Sequence, residues 1–195
     1  MTEFTIEAKP GTDTWRKPPS CDVYSAPMYA PGDIKTTNSL SKFKSASLTF
    51  KLPCQERYDQ AGLILALRQA GTTPKIPPKW IKTGIEYYRD TPRIGTVGTD
   101  AWSDWSIAPV TTSSGSYKNN ETWITVRVEK HEDENGHSLW VYQVDGDHKV
   151  PLREINWPFG DEEDWEVHVQ AYAAKPGTGE PFTATFKDLE VAWKG

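Results

Sequence analysis

What most constrains this chain is the way its apolar residues are punctuated. From Lys44 onward, short runs rich in β-branched and aromatic residues are separated by Gly, Pro and Asp turn signals. Ten such runs cover residues 45–52, 62–67, 80–88, 94–99, 105–108, 123–130, 138–144, 149–155, 165–174 and 182–193. In the first, Ala46, Leu48 and Phe50 share one side. In the ninth, Val167, Val169 and Ala171 oppose Glu166, His168 and Gln170. That period of two is the mark of half-buried strands. Residues 62–67 are apolar without a break, as in a strand buried on both faces. No segment carries a convincing helical period, and no fixed repeat marks a solenoid or propeller. The spacing predicts an all-β jelly-roll sandwich of two antiparallel sheets.

Composition narrows the function classes. The 195 residues form a single domain on the usual size prior. Only 36% are hydrophobic, yet nine are Trp, which argues against disorder. A net charge of -5 argues against a nucleic-acid surface, and no apolar run approaches a membrane span. Residues 1–43, rich in Pro, Ser, Thr and Asp, read as irregular wrapping with an edge strand near residues 22–24. The first ten residues lack the basic and apolar regions of a secretory signal, so a cytoplasmic location is expected. Cys21 and Cys54 lie in no ligand spacing and are expected as free thiols.

The alternation also says which side chains point away from the core. They are Gln60 and Gly62; Lys82, Gly84 and Glu86; Trp123, Thr125 and Arg127; and Glu166, His168, Gln170 and Tyr172. If these strands are neighbours in one sheet, its outer face gathers carboxylates, cations, a His, glutamines and aromatics. Such a face suits a carbohydrate-sized cleft, where planar polar groups and stacking rings meet a sugar. The plainer alternative is a wet sheet of cross-strand charge pairs. Trp80, Trp123 and Trp165 open three strands and are read on this same parity. Trp102 and Trp105 flank Asp104, either as a stacking platform or as one core residue and one edge cover. His168 is the one histidine placed to act as a base or ligand hydrogen-bonder, beside the commoner structural role.

Catalytic signatures are scarce. There is no nucleophile elbow, phosphate-binding loop, dinucleotide fingerprint or zinc-protease motif. The acidic runs 129–134 and 161–166 read as solvated hairpin tips rather than metal ligands. Neither a cofactor nor a metal is expected.

Four segments together resemble a known family. They are Trp15-Arg16-Lys17-Pro18-Pro19, Tyr58-Asp59-Gln60-Ala61-Gly62-Leu63, Lys79-Trp80-Ile81-Lys82-Thr83-Gly84-Ile85-Glu86-Tyr87 and Trp102-Ser103-Asp104-Trp105-Ser106. In this order they resemble the DUF1349 family, of unknown function, some of whose fungal members are named for the regulation of enolase. The resemblance implies a concanavalin A-like lectin/glucanase jelly roll, similar also to the sandwich domain appended to bacterial β-xylosidases. It supplies no catalytic residues. Gln60, Lys82, Glu86, Asp104 and Trp105 fall inside its motifs. The segment Tyr88-Arg89-Asp90-Thr91-Pro92-Arg93 replaces a tighter family turn with a longer, basic tip.

Three functions follow as expectations. The first is a module binding a carbohydrate or small polar ligand through Gln60, Lys82, Glu86, Trp102, Asp104, Trp105, Trp123, Arg127, His168 and Gln170. The second is an enzyme, a glycoside hydrolase or a biosynthetic isomerase or hydrolase, using Glu86 and His168 as acid and base. The third is a regulatory module with a protein partner or a second copy of itself.

Overall fold

The computed structural model describes residues 3–113 and 115–195. The N-terminal quarter holds β1 (Phe4–Ala8), β2 (Thr14–Lys17), β3 (Cys21–Tyr24), β4 (Met28–Tyr29) and β5 (Thr37–Ser39). Then come β6 (Phe43–Lys51), β7 (Gln60–Gln69), β8 (Lys79–Tyr88), β9 (Thr91–Thr99) and β10 (Ser103–Pro109). The last group is β11 (Ile124–Asp133), β12 (Gly136–Asp145), β13 (His148–Ile155), β14 (Trp165–Ala174) and β15 (Phe182–Trp193). All ten expected strands are present, with ends shifted by a few residues.

These strands form two antiparallel sheets. One runs β1-β15-β6-β11-β12-β13; the other runs β10-β9-β8-β7-β14-β4, with β5 also on β14. Leu48, Phe50, Val126, Val128, Ala184 and Phe186 from the first sheet meet Leu63, Leu65, Ile81, Ile85, Val167 and Val169 from the second. Each large side chain so buried stabilises the fold by about 1.5–3 kcal/mol relative to exposure. The core cysteine Cys54 is buried and Cys21 exposed, both as free thiols.

Residues 3–43 carry more regular structure than their composition suggests. β1 extends the six-stranded sheet along β15, and β4 and β5 extend the other along β14. The expected edge strand near residues 22–24 joins neither large sheet. It is β3, paired only with β2, and this hairpin lies across the outer face of the seven-stranded sheet. There Tyr24, Ala26 and Met28 pack on Ile64, Trp80, Tyr172 and Ala174. That second apolar layer explains why β7 is apolar on both faces.

The hairpin is held at both ends. The Arg16 guanidinium lies 4.4 Å from the Trp80 ring centre, donates to Pro78 O at 2.8 Å and pairs with Asp22 at 2.9 Å. Arg16 N donates to Ser103 Oγ at 2.9 Å. At the other end Pro10 bridges Lys175, and Thr12 N donates to Lys175 O at 3.1 Å.

Candidate functional site

Where the β2–β3 hairpin stops covering the sheet, a cavity of about 240 Å³ remains. Its lining comes from three parts of the chain. Asp13, Trp15 and Lys17 come from the hairpin, Tyr58 and Gln60 from the start of β7, and Lys82, Glu86 and Trp105 from β8 and β10. Gln60 and Glu86 face each other across β7 and β8, and Lys82 lies on the rung of Val97 and Trp105.

The floor is polar, with Lys82 and Gln60 buried and Asp13 and Glu86 half-buried. Lys82 is 3% exposed; its Nζ donates to Gln60 Oε1 at 2.6 Å and sits 3.8 Å from Asp13 Oδ1. Burial pushes the Lys82 ammonium below its usual range, while Asp13 and Glu86 pull it back up. Asp13 accepts the Thr14 backbone N–H at 2.7 Å and Gln60 Nε2 at 3.4 Å. Burial raises Glu86 to about 7; Lys82 lowers it, Asp13 raises it further, and Trp105 lowers it. The Trp105 Nε1–H lies beside that carboxyl but completes no hydrogen bond with a protein group. Gly95 makes room for both, since a Cβ there would stand 3.4 Å from Trp105 Nε1 and 3.5 Å from Glu86 Oε2.

The walls are aromatic. Tyr58 stacks on Tyr88 with centroids 5.8 Å apart, and Trp105 meets Tyr88 edge-on at 5.2 Å. Tyr58 is left-handed, with φ at 72°, a conformation that a bulky residue keeps only when its surroundings enforce it. Its N donates to Tyr87 O at 2.7 Å, and Tyr87 N returns a bond to Asp59 O at 2.9 Å. The Asp59 carboxylate then accepts the Gln55 and Glu56 amides and meets buried Lys175 at 3.2 Å. Because Lys175 also grips Thr12, one ion pair ties the Tyr58 turn to the hairpin strand that delivers Asp13.

Of the residues singled out from sequence, Gln60, Lys82, Glu86 and Trp105 meet in this cavity. The others are placed elsewhere. Trp123 and Arg127 point outward, but from the opposite sheet, because β11 pairs with β6 and β12. Trp123 is capped there by Lys51 and Lys187, and Arg127 pairs with Glu129. Burial would raise Glu129, but Arg127, Lys149 and His131 hold it down at about 2, so this face carries the cross-strand charge network of the plainer alternative.

His168 shares the sheet and face of Glu86 but not its neighbourhood. Glu86 lies on the rung of Gln60 and Ala174, and His168 is six residues back along β14, about 20 Å. His168 Nδ1 instead meets Thr37 Oγ1 at 3.1 Å. Its pKa is lowered by burial and by Arg68, and Glu166 opposes this. The Glu86–His168 acid/base pair is thereby ruled out. Gln170 shares the Lys82 rung, with Ile64 of the apolar layer between them. Asp104 turns to the face opposite Trp105, where Arg153 of the other sheet binds it at 2.5 Å. Trp102 is 48% exposed beyond the lining, Trp80 lies under the hairpin, and Trp165 packs against the core.

Sequence reasoning missed Asp13, Trp15, Lys17 and Tyr58. A Trp standing in a polar, Pro-rich segment was the available signal for the hairpin. Among the described residues, no group of three or more His, Cys, Asp or Glu is placed to hold a metal ion, and no helix is long and apolar enough to cross a membrane.

Comparison with known proteins places the chain in a family. Residues 1–193 match a protein family of unknown function, DUF1349. The chain belongs to the DUF1349 family. An uncharacterized protein of Emericella nidulans is 37% identical over 191 residues, covering 97% of this chain and 86% of that one. A functionally unknown protein from Saccharomyces cerevisiae has a similar structure, with a TM-score of 0.64 at 19% identity, covering 99% of this chain and 89% of that one. A family 16 endo-glucanase from Bacteroides ovatus, solved with a bound saccharide, gives a TM-score of 0.51 at 9% identity over 97% and 94%. At these identities the structures establish that this DUF1349 member shares the jelly-roll sandwich of carbohydrate-active proteins.

Proposed function

We propose that this protein binds one sugar ring, or a polar ligand of that size, in the cavity between the hairpin and the seven-stranded sheet. The observation that carries the reading is the pairing of a largely buried polar floor with aromatic walls. Lys82, Gln60, Asp13 and Glu86 offer donors and acceptors at the bottom, and Trp15, Tyr58 and Trp105 offer apolar ring faces. Hydroxyl groups and the apolar face of a pyranose require this combination. The kinship of the fold with carbohydrate-active proteins supports the same ligand class. Size supports a single ring: the groove beyond the cavity is filled by Tyr24, Ala26 and Met28. An exposed free thiol at Cys21 fits a reducing compartment, so the reading includes a cytosolic location.

A catalytic role survives in narrower form. Glu86, held near neutrality, has the proton affinity of a general acid or base at physiological pH. His168 is too distant to be its partner, and Asp13 is the other carboxylate at the cavity. Calorimetric titration with monosaccharides and short oligosaccharides tests the main reading. Monosaccharide binding that Glu86→Ala abolishes is the expected result; silence across the whole set removes it. Turnover lost in Glu86→Gln with binding retained would favour the enzyme.

A further inference from the structure

Resting on the reading above, we infer that the ligand is an anionic monosaccharide, bearing a carboxylate or phosphate held at the cavity mouth by Lys17 and Arg57. The chain as a whole is acidic, with a net charge of -5. The mouth of this cavity is not. Lys17 is part of its lining, Arg57 lies against both Tyr58 and Tyr88, and Arg89 lies over Tyr88. Among the described residues, none of these three exposed cations has a carboxylate within 4.0 Å, whereas Lys82 of the floor and Arg16 of the hairpin are paired. Unpaired cations gathered at one opening are an electrostatic funnel for an anion.

Arg57 is more than a loose surface charge. Its guanidinium lies 4.6 Å from the Tyr58 ring centre and 5.2 Å from that of Tyr88, and Nη2 donates to Tyr58 Oη at 2.6 Å. The two rings and the Tyr58 hydroxyl hold the guanidinium and leave its other N–H groups for a fork-shaped acceptor. Carboxylate and phosphate are the ligand groups with that shape. The basic β8–β9 tip supplies Arg89, with Arg89 and Asp90 both left-handed at φ 51° and 57° in the turn. Inside, Lys82 is already engaged by Gln60 and Asp13, so the deep cation is committed to the floor and the outer ones are available.

The test uses the intrinsic fluorescence of Trp15 and Trp105, both in the lining, as a binding signal. D-glucose, D-galactose and D-mannose are titrated beside D-glucuronate, D-galacturonate, glucose 6-phosphate and mannose 6-phosphate at pH 7. The expected result is that one anionic sugar binds at least about tenfold more tightly than its neutral parent, a difference of about 1.4 kcal/mol. Which of the uronates or phosphates does so identifies the anion. The preference should shrink as salt rises from about 0.05 to 0.5 M. Lys17→Gln and Arg57→Gln should erase it, so that the charged sugar and its neutral parent bind alike. Neutral sugars bound as tightly as every charged derivative overturn the inference and leave the sugar site standing. Silence from all seven compounds overturns both.

Discussion

Lys82 Nζ donates to Gln60 Oε1 at 2.6 Å, one strand away, in a place where the ammonium is only 3% exposed. The two residues form the floor of the cavity and are unequal partners. Gln60→Leu leaves a buried ammonium without its principal acceptor, and should cost about 2–3 kcal/mol. Lys82→Met removes the charge and its desolvation cost together, so its stability loss should be smaller. Urea denaturation of both variants measures the difference. A Lys82→Met variant clearly less stable than Gln60→Leu contradicts this account.

Glu86 gives the molecule a pH signature. Burial holds its native pKa at about 7, against 4.5 for the free side chain. Between these values the native protein keeps a proton that the unfolded chain has released. The stabilisation is complete below about pH 4.5 and is lost as pH rises to 7. Its ceiling is roughly 3 kcal/mol, at 1.36 kcal/mol per pKa unit. Unfolding free energies at pH 5 and pH 8 should therefore differ less in Glu86→Gln than in the native protein. An unchanged pH dependence in the variant would place the proton elsewhere.

Two glycine substitutions should separate folding from binding. A Cβ on Gly84 would stand 2.1 Å from Ala61 O and 2.7 Å from Gly62 Cα, both backbone atoms that cannot swing aside. Gly84→Ala should cost about 3 kcal/mol or more, or prevent folding. At Gly95 the new methyl meets side-chain atoms at 3.4 Å and 3.5 Å. Gly95→Ala should keep the melting temperature within a few degrees and alter ligand affinity by disturbing Trp105 and Glu86. Equal melting temperatures for the two variants would contradict this.

His168→Ala and Asp104→Ala should both leave ligand affinity unchanged. His168 lies some 20 Å along the strand from the Glu86 rung. The Asp104 side chain is 78% exposed and bound to Arg153, so its loss should cost less than about 1 kcal/mol. The titration that detects the Glu86→Ala defect provides the comparison.

These placements show what could be read from sequence and what could not. Side-chain parity was legible: Gln60, Lys82 and Glu86 do share one face, because a strand's period of two leaves little choice. Sheet membership was not. Arg127 has the same outward parity as Lys82, yet backbone pairing sends β11 to the other sheet, and alternation carries no record of that partner. Position along a strand was equally silent for His168, since registers between β14, β7 and β8 are set by turns far from that residue. Asp104 and Trp105 illustrate the converse. As adjacent residues in one strand they had to point to opposite faces, so only one of them could serve the cavity. The hairpin was hardest to place, because Tyr24 acquires its packing partners from distant strands, Ile64 of β7, Trp80 of β8, and Tyr172 and Ala174 of β14.

The clamp between Thr12 and Lys175 has a consequence for biosynthesis. Asp13 and Trp15 are synthesised some 160 residues before their anchor at Lys175, just after β14, and β1 must wait for β15 before it can pair. The cavity is therefore completed only after β14 has been made. Ligand retention then tests whether synthesis has passed β14, because a chain arrested before it has the polar floor of β7 and β8 and the Arg16 contacts but lacks the Lys175 clamp that holds the other end of the hairpin.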